Sequence, residues 1–218
     1  MAQSRRGIQP LEVRCVEADL HAMPKPSLQP DFFAAETLPE GFAYGENRID
    51  NALEQALLQE IERLPFKPFE FHGFFGNRRI VSYGWRYDYA GRALKASDPM
   101  PEFLLPVRAI AAEFAHLPAE RFQQALVTEY APGAGIGWHR DKPMFEDVVA
   151  FSLSAPCTLR LRHKEGAGWA RRAQMIAPRS AYLLRGPARF EWEHSIPPLD
   201  RLRYSITLRT FRPDAQPD

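Results

Sequence analysis

The second half of the chain is a succession of short apolar stretches separated by turn residues, and this pattern limits the possible folds more than any other feature. From residue 123 onward the stretches are "QQALVTEY", "VVAFSLSA", "CTLRLRHK", "RRAQMIAP", "SAYLLRG", "FEWEHSI" and "RLRYSITLRTF". Each has the length and composition of a β-strand. Many short strands in succession predict a barrel or sandwich.

Two segments with helical spacing come before these strands. In each, apolar residues recur at intervals of three or four positions, which lines one face of an α-helix. These residues are Ile49, Leu53, Leu57, Ile61 and Leu64, and then Phe103, Val107, Ile110, Phe114 and Leu117. The first helix is expected to end before Pro65, and Pro106 is expected to set apart the first turn of the second. The fold class is therefore α+β and mainly β, with N-terminal helices packed on one sheet.

The first forty residues are proline-rich and aperiodic, as in "MPKPSLQPDFF". We expect residues 1–40 to form an N-terminal arm and residues 41–218 to form a single domain, because a chain of 218 residues suffices for one core. Between the two helices, the aromatic segment "FEFHGFFGNRRIVSYGWRYDYAG" is interpreted as strands or a long ordered loop.

Charge and cysteine content bound the class of protein. The 28 basic and 27 acidic residues give a net charge of +1, so any contact with nucleic acid has to come from a local patch. Cys15 and Cys157 lie far apart, which is typical of a reduced protein rather than a disulfide-stapled one. No run of 18 apolar residues occurs that would predict a transmembrane helix. We expect a cytoplasmic monomer.

A His-x-Asp pair raises the question of a metal site. His139 and Asp141 follow the turn sequence "YAPGAGIG", and residues two apart in an extended chain point to the same side. The motif is weak alone, since "HKE" at residues 163–165 has the same spacing. His194, in another predicted strand, adds a second imidazole. Two histidines and one carboxylate form the ligand set of non-haem Fe(II) oxygenases, and zinc hydrolases use similar ligands.

Two arginines distinguish between these metal chemistries. Arg203 and Arg209 are six positions apart in "RLRYSITLRTF", so they lie on the same face of a predicted strand. A guanidinium is a planar fork that matches a carboxylate, and two of them beside a metal predict a dicarboxylate site. An iron oxygenase that uses 2-oxoglutarate requires such a site.

Taken in order, these motifs resemble the AlkB family of Fe(II)- and 2-oxoglutarate-dependent dioxygenases. An aromatic region, a tyrosine before a glycine turn, His-x-Asp, a distal His and two Arg six apart follow one another in the family's order over roughly residues 70–212. The resemblance implies a double-stranded β-helix, or jelly roll, with the metal in its mouth. It also implies Fe(II) as cofactor, with 2-oxoglutarate and O₂ as co-substrates.

The resemblance assigns a role to each motif residue. His139, Asp141 and His194 would be the catalytic iron ligands. Arg203 and Arg209 would grip the two ends of 2-oxoglutarate. Tyr130 would hydrogen-bond the co-substrate, and Thr128 stands where the family usually has an asparagine.

Members of the family oxidise methyl groups on base nitrogens, which requires a flipped base stacked on an aromatic side chain. The stacking candidates are Tyr89, Trp85 and Tyr87, and Arg79 is a candidate for a phosphate contact. The expected function is therefore oxidative demethylation of alkylated DNA or RNA, as in DNA repair.

Pro143 stands where repair enzymes of the family carry an acidic residue, so other substrates stay open. The alternatives are the same chemistry on modified tRNA or a protein side chain, a non-catalytic metal-binding jelly roll, and a zinc hydrolase.

Overall fold

The computed structural model describes residues 37–71, 74–88 and 93–215. Its strands are β1 (Phe42–Gly45), β2 (Lys67–Phe71), β3 (Phe74–Tyr83), β4 (Trp85–Asp88), β5 (Ala93–Ala96), β6 (Phe122–Tyr130), β7 (Ile136–His139), β8 (Phe145–Leu153), β9 (Cys157–Glu165), β10 (Gly168–Ile176), β11 (Ala181–Leu184), β12 (Glu193–Ile196) and β13 (Arg203–Phe211). Its α-helices are α1 (Asn51–Ile61), α2 (Leu105–Ala115) and α3 (Gly186–Phe190). Three 3₁₀ turns, Glu102–Leu104, Ala119–Arg121 and Pro213–Ala215, complete the described elements.

Two antiparallel sheets form the body of the described domain. The major sheet has seven strands in the order β1-β11-β8-β13-β6-β3-β2, and the minor sheet has four in the order β10-β9-β12-β7. A separate hairpin pairs β4 with β5. Neighbours in each sheet are mostly distant in sequence, as in a jelly roll. The predicted double-stranded β-helix is confirmed, and all seven apolar stretches contain a strand.

Side chains of the major sheet alternate between two environments, because successive residues of a strand face opposite sides. On β13, Tyr204, Ile206 and Leu208 belong to a core cluster shared with α1 and α2. A second core cluster lies between the two sheets and includes Leu159 and Leu161 of the minor sheet. The helices therefore back one face of the major sheet, as predicted, and leave its other face to the interior of the jelly roll.

The first helix is shorter than its apolar stripe. Asp50 is its N-cap, and the side chain accepts a hydrogen bond from the backbone N–H of Leu53 at 2.7 Å. Ile49 and Leu64 flank the helix and still pack on the helix-side core. The stripe thus identifies core residues correctly, although two of them lie outside the helix.

The second helical segment is divided as Pro106 predicts. A 3₁₀ turn, Glu102–Leu104, leads into α2, and Pro106 occupies the first turn of that helix, where its missing N–H has no intrahelical role. The helix ends at Ala115, and its C-cap His116 adopts the left-handed conformation at φ 54°.

Several expectations concern parts of the chain that the structure does not describe or does not test. Most of the arm predicted for residues 1–40 lies outside the described residues, and its boundary stays a prediction. The short helix α3 has no counterpart among the predicted elements, because "GPARF" is too short to show periodicity. Among the described helices, none combines the length and apolarity needed to span a bilayer.

Candidate active site

A cavity of about 620 Å³ opens into the interior of the jelly roll between the two sheets. Polar side chains from β6, β7, β12 and β13 reach it, together with side chains of β3 and β4 near its mouth. Most of the residues singled out from the sequence line this cavity, namely Tyr87, Thr128, Tyr130, His139, Asp141, His194, Arg203 and Arg209.

The glycine turn before β7 brings the His-x-Asp pair to the cavity. Gly133 has φ +85°, a conformation that L side chains rarely adopt. At Gly135 a Cβ would come within 2.7 Å of the carbonyl oxygen of Ile196, so the two backbones can approach only because this residue is glycine. The approach pairs β7 with β12 and sets His139 directly opposite His194.

The two histidines and Asp141 meet at one point of the cavity wall. The ring centroids of His139 and His194 are 4.2 Å apart, and His194 Nε2 lies 3.8 Å from Asp141 Oδ2. The distances between these side chains are longer than those within a metal coordination shell. The described residues contain no group of three or more His, Cys, Asp or Glu side chains that is close enough to hold a metal ion. The residue types and their convergence nonetheless match the donor set of a 2-His-1-carboxylate iron site.

The protonation states of the trio suit a divalent metal. His139 Nδ1 donates to the carbonyl oxygen of Gly137 at 2.9 Å, which leaves the Nε2 lone pair facing away from that bond. Burial, together with the neighbouring His139, lowers the pKa of His194 to about 3, so its imidazole is neutral at pH 7. Burial acts to raise the pKa of Asp141, but Arg209 and the histidines outweigh it and hold this pKa well below its ordinary value.

Arg209 holds the carboxylate of the trio. Its Nε and Nη2 donate to Asp141 Oδ1 at 2.9 and 2.7 Å, and its Nη1 donates to Gln124 Oε1 at 2.9 Å. The guanidinium therefore fixes one oxygen of Asp141 and leaves Oδ2 on the side of His194. Its predicted grip on 2-oxoglutarate stays a prediction, and the structure adds a contact to Asp141 that the sequence does not indicate.

Arg203 lies deeper in the cavity and is almost completely buried, with 1% of its surface exposed. Its Nε donates to Ser152 Oγ at 2.9 Å, and its guanidinium carbon stands 5.1 Å from the ring centroid of Tyr130. Its Nη1 is buried and has no hydrogen-bond partner among the described residues. A buried cation with an unpaired donor that faces a cavity fits a ligand carboxylate.

A row of three hydroxyls lies beside Arg203, and two of them, those of Thr128 and Ser205, belong to residues that line the cavity. Thr128, Ser205 and Ser152 are paired across β6, β13 and β8, and all three are buried. Ser152 and Ser205 are not among the residues predicted from the sequence. A signal exists for Ser205, since alternation along β13 places it on the same face as Arg203 and Arg209. The hydroxyl of Thr128, which replaces the amide usual in the family, is thus one of three in this row.

The structure places two of the predicted substrate residues, Arg79 and Trp85, outside the lining of the cavity. Arg79 faces the helix side of β3, where it forms a bidentate ion pair with Glu129 at 2.7 and 2.8 Å, while its neighbour Arg78 lines the cavity. Adjacent residues of a strand face opposite sides, so only one of the two can do so. Trp85 packs edge-on against Phe211 at 6.2 Å, away from the cavity lining.

Tyr87 and Tyr89 are the remaining aromatic candidates for stacking on a base. Tyr87 lines the mouth of the cavity, with Lys142 Nζ 4.3 Å from its ring centroid. Tyr89 lies outside the described residues. The rival motif at residues 163–165 does not form a second site, because His163 stacks on Trp192 at 5.6 Å and lies 3.9 Å from Glu191.

Comparison with known proteins identifies the family. The model of the 2OG-Fe(II) oxygenase superfamily matches residues 46–209, and the chain therefore belongs to this superfamily of Fe(II)- and 2-oxoglutarate-dependent enzymes. The chain is 27% identical over 161 residues to the "Alkylated DNA repair protein ALKBH8 homolog" of Arabidopsis thaliana. It is 34% identical over 76 residues to "Uncharacterized protein L905" of Acanthamoeba polyphaga mimivirus. The AlkB resemblance is confirmed at the level of the family.

These alignments are partial. The first covers 62% of this chain and 46% of the Arabidopsis protein, and the second covers 34% and 36%. The chain thus spans less than half the length of the curated relatives it matches.

Solved structures share the fold at low identity. The structure of OsALKBH1 has a TM-score of 0.60 at 16% identity and covers 80% of this chain and 100% of that one. A Pseudomonas putida prolyl-4-hydroxylase gives 0.56 at 16%, over 79% and 92%. A Trichoplax adhaerens prolyl hydroxylase in complex with a hypoxia inducible factor fragment gives 0.57 at 16%, over 80% and 85%.

Proposed function

We propose that this oxygenase removes N-methyl groups from nucleic-acid bases by oxidation, with 2-oxoglutarate as co-substrate. The observation that carries the co-substrate assignment is Arg203, a buried cation beside a row of hydroxyls, whose Nη1 has no hydrogen-bond partner in the part of the chain that the structure describes. A carboxylate would satisfy both the charge and the unpaired donor.

The proposal assigns the iron to His139, Asp141 and His194. His139 and His194 are neutral and Asp141 is ionised at pH 7, which are the forms that bind a divalent cation. When bound, iron with 2-oxoglutarate supplies the activation of O₂, and 2-oxoglutarate leaves as succinate and CO₂. Arg209 keeps Asp141 oriented throughout, because its two hydrogen bonds hold a single carboxylate oxygen.

Arg203 binds the distal carboxylate of 2-oxoglutarate in this proposal. Ser152 orients the guanidinium through Nε, and Tyr130 lies against its face, so the fork is fixed before the ligand arrives. Thr128 and Ser205 offer hydroxyl donors to the same carboxylate. Burial of the pocket excludes water from these contacts and strengthens them.

Three observations support a nucleic-acid substrate. The Arabidopsis relative is described as an alkylated DNA repair protein. The mouth of the cavity carries Tyr87, Trp138 and Arg78, side chains that can stack on a base or contact a phosphate. Gly137 also lines the cavity, and a Cβ built on it would meet no atom within 4 Å, so a flat ligand can approach the backbone closely there.

A protein side chain is the second candidate substrate. It is favoured by the two prolyl hydroxylases, whose TM-scores nearly equal that of OsALKBH1. Pro143 and Thr128 also depart from the pattern of repair enzymes. A substrate comparison has to include peptides for this reason.

The decisive experiment follows substrate mass and succinate together. Purified protein is loaded anaerobically with Fe(II) and 2-oxoglutarate, and O₂ is added with single-stranded oligonucleotides that carry 1-methyladenine or 3-methylcytosine. We expect each oligonucleotide to lose the mass of one methylene with an equal yield of succinate. Succinate with no change of oligonucleotide mass would reject these two methylated bases in single-stranded oligonucleotides and direct the search to peptide and tRNA pools.

Variants test the assigned site in the same assay. His139→Ala should abolish succinate formation, whereas His163→Ala in the rival motif should retain it. Full turnover in the His139 variant would disprove the ligand assignment. Tight metal binding without succinate from the wild-type protein would favour a non-catalytic jelly roll, and activity without O₂ would favour a hydrolase.

A further inference from the structure

The outer face of the minor sheet, opposite the face that carries Leu159, Leu161 and His194, holds a group of cations and tryptophans. Alternation along β9 buries Leu159 and Leu161 between the sheets and turns the residues between them outward. The register places Arg171 opposite Arg162 and Trp169 opposite Lys164 on the neighbouring β10. We call the following six residues the basic outer face: Trp138, Arg160, Arg162, Lys164, Trp169 and Arg171.

Cations and aromatic rings alternate across this face. The guanidinium carbon of Arg162 lies 4.5 Å from the ring centroid of Trp138 and 4.2 Å from that of Trp169. Arg160 lies 5.1 Å from Trp138, and Lys164 Nζ lies 5.3 Å from Trp169. These contacts hold the side chains in a preformed ladder, which reduces the entropic cost of binding a ligand.

The charge of this face is unbalanced in a chain that is nearly neutral. Arg162 pairs with Glu193 at 2.6 Å, and Arg160 donates to the hydroxyl of Ser195. Among the described residues, no carboxylate forms an ion pair with Arg160, Lys164 or Arg171, and the latter two are exposed. Four cations thus face one carboxylate, whereas the whole chain has a net charge of +1. Local excess of this kind attracts a polyanion.

The basic outer face begins at the mouth of the cavity. Trp138 contacts Arg160 and Arg162 and also lines the cavity, and it directly precedes His139. Trp169 continues the surface outward with 36% of its area exposed. A chain whose target nucleotide enters the cavity can therefore continue along this sheet.

We propose that the basic outer face binds single-stranded nucleic acid that flanks the target nucleotide. Lys164 and Arg171 contact phosphates, and the tryptophans provide surfaces for base stacking, the combination that typifies sequence-tolerant single-strand binding. This inference rests on the proposed nucleic-acid substrate, and it adds a binding surface outside the catalytic cavity.

The test measures binding of an unmodified oligonucleotide rather than turnover. Fluorescence anisotropy with a labelled oligothymidylate of about a dozen nucleotides gives Kd as a function of NaCl concentration. The double variant Lys164→Glu/Arg171→Glu should weaken binding about tenfold or more and reduce the salt slope by about 1.4, since each phosphate that a cation neutralises contributes about 0.7. Trp169→Ala should weaken binding about tenfold with little change of slope.

A matched control separates this face from net charge. Arg63→Glu/Lys67→Glu makes the same change of charge at exposed positions outside the minor sheet, and it should bind within about twofold of the wild type. Unfolding midpoints of all variants establish that each is folded. The proposal would be overturned if Lys164→Glu/Arg171→Glu and Trp169→Ala both bound with wild-type affinity. It would also be overturned if the control variant were weakened equally, or if the wild-type protein did not bind.

A second arm distinguishes this inference from the proposed function. Methylated dinucleotides are too short to extend along the sheet, so the face variants should oxidise them at the wild-type rate if the proposed function holds. If the face variants lose oligothymidylate binding and the control variant keeps it, the basic outer face is supported as a binding surface even when no methylated base is oxidised. Equal affinity for an oligoglutamate, with the same response to the variants, would reject nucleic acid as the ligand.

Discussion

Replacing Arg203 with methionine should separate stability from co-substrate binding. Arg203 is 1% exposed, and no carboxylate among the described residues pairs with it. Burying a cation costs several kcal/mol. The bond to Ser152 and the contact with Tyr130 offset about 2–4 kcal/mol of that cost. Because methionine fills a similar volume without charge, we expect Arg203→Met to leave the free energy of unfolding unchanged or to raise it by up to about 2 kcal/mol.

Binding of 2-oxoglutarate should respond in the opposite direction. Removal of a buried, charge-assisted carboxylate interaction costs about 3–4 kcal/mol, which weakens the affinity about 100- to 1,000-fold. Urea unfolding without ligand measures the first effect. Titration with 2-oxoglutarate in the presence of Mn(II), followed by tryptophan fluorescence, measures the second.

Arg201→Met is the matched control, because Arg201 is exposed two positions earlier in the chain. This variant should change neither the free energy of unfolding nor the affinity for 2-oxoglutarate. If Arg203→Met bound 2-oxoglutarate like the wild type, Arg203 would have no role in the co-substrate site, and the assignment would be refuted. A large decrease in stability would refute the account of the buried charge.

Four further predictions concern the mouth of the cavity, the helix side of the major sheet and the buried thiol. Gly137→Leu should raise KM for a methylated oligonucleotide about tenfold or more, because its side chain would project into open space that the substrate fills, while succinate formed without substrate stays constant. Arg79→Ala should leave KM unchanged and lower the free energy of unfolding by about 1 kcal/mol, since the pair with Glu129 is half-exposed; a rise in KM would return Arg79 to the substrate site. Burial raises the pKa of Cys157, so in a Cys15→Ser background its alkylation by iodoacetamide at pH 8 should be limited by unfolding, and rapid labelling of the folded protein would contradict this. The raised pKa of Cys157 also makes the free energy of unfolding fall as the pH rises above about 9, because the unfolded chain then loses the thiol proton more readily than the folded chain does. Urea unfolding between pH 8 and 10 measures whether the free energy of unfolding falls in this way.

The orientation of a side chain follows most directly from the sequence where apolar residues in the same strand show which face is buried. Arg203 and Arg209 share a strand with alternating apolar residues, so their common face follows directly from "RYSITLR". His139 and His194 lie in different strands, and their meeting depends on the close approach of backbones at Gly135, which spacing cannot reveal. The family order of the motifs provides that information.

The candidates that the structure places outside the cavity lining come from a segment where no neighbouring residue fixes which face of the strand is inside. In "GNRRIVSYGW" two arginines are adjacent, and nothing in the pattern indicates which of them faces the cavity. Trp85 is a candidate by residue type alone, although a tryptophan packs against a phenylalanine as readily as against a base. Ser152 escapes prediction because a serine in an apolar strand has no signal of its own, and its role depends on the register between β8 and β13.

The position of β13 determines how this protein can lose the proposed co-substrate site. The strand is hydrogen-bonded along its length to β6 on one side and β8 on the other, and its two faces contribute to the helix-side core and to the cavity. Amide hydrogens in such a strand exchange with solvent only when the whole domain opens. Local fraying near the mouth can therefore occur without release of Arg203 or Arg209. Heat inactivation should then coincide with the global melting transition, with no folded intermediate that is unable to bind 2-oxoglutarate.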